Sequence, residues 1–241
     1  MFRIIHTISL ILVIVAFKAQ VINTKLNYIV TKPSKVTNKT PVLIILHGYG
    51  SRESDSKQLM KTLQDKFLVF SLRAPRTTTV GGFCWFDMQF LEWAQFKCDY
   101  KQVEESRNQI LSFISNACKA YNADSTQVYV LGFSQGGMMA YDIGLNAPTK
   151  IKGVVALSTR LMEETMLRPG IDWTNAQKVK YLIIGGYSDN VISYLDSYKS
   201  HDFLKTKGVW DVYVKFYDIK HTIVTQEIGD IKYWLGTKVG V

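Results

Sequence analysis

A chain of 241 residues, 47% apolar and 20% charged, can bury one sizeable core, and its composition excludes disordered and collagen-like classes. The formal net charge of +9 reflects 29 basic against 20 acidic residues. The lysines are scattered, so no basic block or basic helix face points to nucleic acid, and the charge reads as solubility, with peripheral contact to an anionic membrane left open. No segment repeats, which excludes solenoids and propellers. Arg3 precedes an apolar run from Ile4 to Phe17, broken only by His6, Thr7 and Ser9, and Ala19 precedes polar Gln20. This predicts a secretory signal peptide over residues 1–19, with export to the periplasm or medium; an uncleaved membrane anchor is the alternative. Its removal leaves 27 basic residues against 20 acidic ones and one domain over residues 20–241.

Beyond it, strand and helix patterns alternate, which predicts an α/β protein with a mostly parallel central sheet and helices on both faces. Leu26–Val30 reads as an antiparallel edge strand. Pro41–Leu46 (PVLIIL) is a continuous apolar run, as expected of a strand covered on both sides. Helix at Ser56–Asp65 and strand at Phe67–Leu72 follow. Arg73–Tyr100 has no clean period and holds Phe83, Trp85, Phe86, Phe90, Trp93, Phe96 and Tyr100. A loop of that length and aromatic content is expected to line something, and Phe83, Phe86, Phe90 and Trp93 are the candidate substrate-binding residues, with Trp85 assigned to the core. Further helices are predicted at Lys101–Tyr121, Gln135–Asn146, Ser193–Lys207 and Ile223–Leu235. Strands are predicted at Gln127–Leu131, Ile151–Leu157, Val179–Ile184 and Trp210–Tyr217. Of the three cysteines, Cys118 shares a helix face with Ile110, Ile114 and Tyr121 and reads as a buried thiol. Cys84 and Cys98 bracket the aromatic loop, as a disulfide or as two free thiols.

The chemistry concentrates at strand ends. The Gln127–Leu131 strand runs into Gly132-Phe133-Ser134-Gln135-Gly136 and then a helix, the strand–turn–helix context that G-x-S-x-G requires. A nucleophile on so sharp a turn needs neighbours without side chains two residues either way, and Gly132 and Gly136 supply them. Ser134 therefore reads as a nucleophile, and a serine hydroxyl needs a base. Among four histidines, His6 leaves with the signal segment, His201 lies on a solvated helix face, and His47 suits a structural role at a strand end. His221, just beyond the Trp210–Tyr217 strand, is the base by elimination and position. Asp189 follows a Gly185-Gly186 turn and completes the chain order Ser, Asp, His, whereas its rival Asp218 would have to fold back on its own loop. Oxyanion donors are assigned to the backbone N–H groups of Gln135 and of Tyr49 in His47-Gly48-Tyr49-Gly50. No metal-ligand spacing and no phosphate-loop lysine occur, so no metal or cofactor is expected.

The set Leu46–Gly50 (LHGYG), Trp85–Asp87 (WFD), Gly132–Gly137 (GFSQGG), Asp189 and His221 resembles the phospholipase/carboxylesterase family, which includes bacterial carboxylesterases and acyl-protein thioesterases. The likeness runs from about Pro41 onward. It implies a lidless α/β-hydrolase fold that cleaves carboxylic esters, thioesters or lysophospholipids without a cofactor. It also implies the same triad and oxyanion donors. Asp189 is followed by Asn190-Val191-Ile192 where the family usually has valine-proline, and Lys220 stands before His221 where the family usually has glycine. The expected partner is a small-molecule or lipid ester; monomer and homodimer both stay open. Two other functions fit parts of the sequence: an exported esterase acting on feruloyl or polyhydroxyalkanoate esters, and a non-catalytic hydrolase-like binding protein, which the intact Ser134, Asp189 and His221 argue against.

Overall fold

Continuous apolar segments become strands covered on both faces. The computed structural model describes residues 22–90 and 96–239; the expected signal segment 1–19 lies outside the described residues. The chain opens with β1 (Tyr28–Thr31), β2 (Val42–Leu46), a 3-10 turn at Glu53–Ser56, α1 (Lys57–Leu63) and β3 (Leu68–Leu72). Two antiparallel hairpins follow, β4 (Arg76–Thr77) with β5 (Phe83–Cys84), and β6 (Met88–Phe90) with β7 (Phe96–Cys98). Then come α2 (Tyr100–Tyr121), β8 (Val128–Phe133), α3 (Gln135–Asn146), β9 (Gly153–Leu157), α4 (Glu163–Met166) and α5 (Trp173–Ala176). The chain ends with β10 (Lys180–Gly186), α6 (Tyr194–Thr206), β11 (Val212–Tyr217) and α7 (Thr225–Val239).

Seven strands form one sheet in the order β1-β3-β2-β8-β9-β10-β11. Only β1 runs antiparallel, as the sequence predicts for Leu26–Val30; the other pairs are parallel. Alternation along β2 divides the core in two. Val42, Ile44 and Leu46 join Ile110 and Phe113 of α2 and Met139 of α3 on one face. Leu43 and Ile45 join Leu59 and Met60 of α1 and Trp234 and Leu235 of α7 on the other. Cys118 is buried with Ile110, Ile114 and Tyr121 on α2, and all three thiols are free, Cys84 and Cys98 lying in separate hairpins.

The register sets up everything that follows. Leu46 pairs with Gly132, Phe133 with Leu157, Ile184 with Leu157, and Gly186 with Tyr217. The segments after β2, β8, β10 and β11 thus leave the same carboxyl edge of the sheet, which in open parallel sheets is where ligands bind. Two details differ from the sequence reading. The aromatic stretch after Arg73 contains two short hairpins, and α4 and α5, at four residues each, are too short to show a helical period.

Candidate active site

Ser134 sits between β8 and α3 with φ 53° and ψ −119°, a left-handed conformation that side chains rarely adopt. Such strain is held only where neighbouring contacts enforce it. Here the Ser134 N–H donates to Leu157 O at 2.9 Å, and the Thr159 hydroxyl donates to Ser134 O at 2.7 Å. A Cβ at Gly132 would run into the Gly136 carbonyl, and one at Gly136 into the Leu46 carbonyl. The two glycines let strand, turn and helix cross at this spacing.

His221 and Asp189 meet beside this turn. His221 Nδ1 lies 2.8 Å from Asp189 Oδ2, and the Asp189 side chain is fully buried. Its other oxygen accepts the N–H groups of Val191 and Ile192, both at 2.9 Å. The carboxylate is therefore fixed from its own loop, and its free lobe faces the imidazole. The Phe133 ring packs on the His221 ring at a centroid distance of 4.8 Å. Asp218 instead accepts the Ser188 hydroxyl at 2.7 Å at an exposed position. His201 pairs with Asp202 on the surface of α6.

The loop after β2 is held by a histidine of a different kind. The Ala74 N–H donates to His47 Nε2 at 3.0 Å, so the proton resides on Nδ1, which donates to Gly48 O at 2.7 Å. Burial lowers the pKa of His47, favouring this neutral form. In a trans peptide the carbonyl and the following N–H point in opposite directions, so binding Gly48 O fixes the direction of the Tyr49 N–H. A Cβ on Gly48 would lie 3.4 Å from Ser134 Cβ, which puts this peptide against the serine. The loop is tied further by Trp85, whose indole N–H donates to His47 O at 2.9 Å. The Gln135 side chain then accepts the Trp85 N–H at 2.9 Å and donates to Phe86 O at 2.7 Å. His47, Trp85 and Gln135 thus join the LHGYG, WFD and GFSQGG segments into one frame, a linkage the sequence reading did not anticipate.

A groove of about 470 Å3 opens over Ser134 and His221, and Tyr49 and Gln135 line it. Its apolar walls are Met88, Phe96, Met138, Val191 and Ile192. Two of the expected aromatic wall residues, Phe83 and Phe86, stand elsewhere. Phe86 is fully buried in the core, because its backbone is pinned by Gln135 and its ring faces inward. Phe83 is half-buried with the Arg73 guanidinium 4.7 Å over its ring, and does not line the groove. Phe90 ends β6, but its side chain, like all of Trp93, lies outside the described residues. Sequence signals for the actual walls did exist. Met138 lies four residues after Ser134, one helical turn along α3, and Val191 and Ile192 lie two and three residues after Asp189 in the same loop.

No group of three or more His, Cys, Asp or Glu side chains that could hold a metal occurs among the described residues. The strained serine at a β-strand-to-helix turn, with a carboxylate-bound histidine at the same sheet edge, is the arrangement of the α/β-hydrolase class. The crystal structure of a Bacillus cereus carboxylesterase shares the fold, with a TM-score of 0.73 at 20% identity over 90% of this chain and 96% of that one. Acyl-protein thioesterase 1 of Mycosarcoma maydis is 26% identical over 231 residues, 87% of this chain and 96% of the relative. Acyl-protein thioesterase 1 homolog 1 of Dictyostelium discoideum is 24% identical over 204 residues, 80% and 88% of the two chains. The chain belongs to the phospholipase/carboxylesterase family, whose model matches residues 27–239, and it is a carboxylic ester hydrolase.

Proposed function

We propose that the protein hydrolyses esters or thioesters of lipid or small-molecule acyl groups through an acyl-enzyme on Ser134. The observation that carries this reading is the Asp189–His221 contact beside the strained Ser134. His221 takes the Ser134 proton as the hydroxyl oxygen attacks the acyl carbon, and Asp189 holds the imidazole tautomer and stabilises the imidazolium. The oxyanion is received by the N–H groups of Tyr49 and Gln135, the first aimed by His47 and the second at the amino end of α3. Collapse of the tetrahedral intermediate releases the alcohol or thiol with a proton from His221, and water repeats the cycle on the acyl-enzyme. The acyl chain lies in the groove of Met88, Phe96, Met138, Val191 and Ile192.

A fluorophosphonate probe reacts only with an activated serine, so it should label the wild type and leave Ser134→Ala unlabelled. The same variant should lose about a millionfold in kcat with unchanged folding. Labelling of Ser134→Ala at the wild-type rate would overturn the assignment.

A further inference from the structure

A second and larger cavity, of about 640 Å3, adjoins the groove over Ser134. The two share Gly48, Ser51, Phe133 and His221, and the packed rings of Phe133 and His221 form part of the wall between them. Leu59 of α1, Leu131 of β8, Ile223 just before α7 and Ile228 within it give the second cavity its apolar lining, beside buried His47. Its exposed polar lining is Asp55, Gln58, Thr222, Thr225 and Gln226. The volume and the apolar interior with a polar rim match what small-molecule sites offer.

We propose that this cavity is the leaving-group subsite, built for the apolar alcohol or thiol portion of the substrate. The proposal rests on the reading of Ser134 and His221 given above. The cavity touches His221 but not Ser134, Gln135 or Tyr49. A group seated in it is therefore one step removed from the acyl carbon and the oxyanion donors, on the side of the general acid. That is where the departing atom must be. When the bond from acyl carbon to oxygen or sulfur breaks, its electron pair stays on that atom, which takes the proton from His221. The acyl carbon stays bonded to Ser134 over the other groove. A substrate apolar at both ends thus fills both cavities, with the scissile bond at the Phe133–His221 divide.

The test uses two ester series, read by pH-stat. One keeps a butanoyl group and lengthens the alcohol from methyl to octyl; the other keeps methanol and lengthens the acyl group. For the wild type, kcat/KM should rise at least about tenfold from methyl to octyl butanoate, since a methylene in an apolar pocket is worth about that much. Ile228→Trp, which fills the cavity, should bring that ratio close to one while the hexanoyl-to-acetyl ratio with methanol stays at its wild-type value. Gln226→Trp, at an exposed rim position that carries no fold, should lower the alcohol ratio in the same direction. A flat wild-type alcohol series in an enzyme that reacts with fluorophosphonate would overturn the subsite alone. A collapse of the acyl ratio instead would assign the cavity to the acyl chain and equally overturn it. Absence of both fluorophosphonate labelling and ester turnover would overturn the underlying reading.

Discussion

Asp142 and Asp189 present the same chemistry in two regions and are used differently. Both side chains are 0% exposed, and each faces one partner able to carry positive charge at 2.8 Å. Asp142, in the middle of α3, receives Arg107 and Tyr100 from α2, Thr165 from α4 and Asn146 from its own helix. Burial raises its pKa, and the arginine and the hydrogen bonds work against that rise. Asp189 receives two backbone N–H groups of its own loop and a single side chain, His221. The arginine keeps its proton at every pH the protein meets, so the Asp142 cluster can only clamp helices together. An imidazole can take a proton on one nitrogen while the other is held by a carboxylate, so the Asp189 cluster has the parts for proton transfer. What separates scaffold from site is whether the partner can pass on a proton, and whether the cluster stands at the open carboxyl edge of the sheet.

The contrast makes its largest prediction at Asp189. Asp189→Asn should lower kcat about 10⁴-fold, because the amide favours the wrong imidazole tautomer, with the urea midpoint near that of the wild type. A variant with near-normal kcat would erase the distinction. Asp142→Ala should do the opposite: about 3–5 kcal/mol lost in urea unfolding, since Arg107 loses its buried counter-charge and keeps only the more exposed Glu104 at 3.7 Å, and kcat/KM of the folded fraction within a few-fold.

Glu227 sharpens the comparison as a buried carboxylate that forms no ion pair among the described residues. One oxygen accepts the Val224 N–H at 2.7 Å and caps α7, and the other has no partner among the described residues. Burial pushes its pKa from 4.5 up to about 7, so the folded protein holds a proton there that the unfolded chain has released. Stability is therefore drawn down as pH rises from about 4.5 to about 7. Glu227→Gln keeps the acceptor and removes the titration, so its Tm relative to the wild type should climb across that window. A constant Tm difference would mean the carboxyl titrates alike in both states. The smallest effect belongs to Asp218→Asn, which loses only an exposed contact to Ser188 and should change kcat by less than about twofold. A loss comparable to that of Asp189→Asn would move the acid role to Asp218.

Legibility followed the range of the interactions involved. The alternation of β2, α1, β3 and of β8, α3, β9 could be read from local period. So could the turn at Ser134, because two-sided burial and a strained corner both write themselves into neighbouring residues. Asp189 and His221 could be placed by strand-end position, since parallel strands deliver their following loops to one edge. The walls of the groove over Ser134 could not be read. The aromatics of residues 73–100 suggested walls, but whether a ring faces groove or core depends on contacts far along the chain. Gln135, about fifty residues on, pins Trp85 and Phe86 inward.

By itself, then, the sequence determined the sheet, the sharp turn at Ser134 and the placing of Ser134, Asp189 and His221 at strand ends, each of which rests on neighbours in the chain or on the order of elements. Tertiary structure alone decided three matters. It put Met88, Phe96 and Met138 in the groove in place of Phe83 and Phe86. It made His47 an aiming device for the Tyr49 peptide. And it opened a second apolar cavity behind His221 between α1 and α7. The reason is the same in all three: each depends on which side chains meet across elements distant in sequence, and close packing settles that only once the helices lie on the sheet.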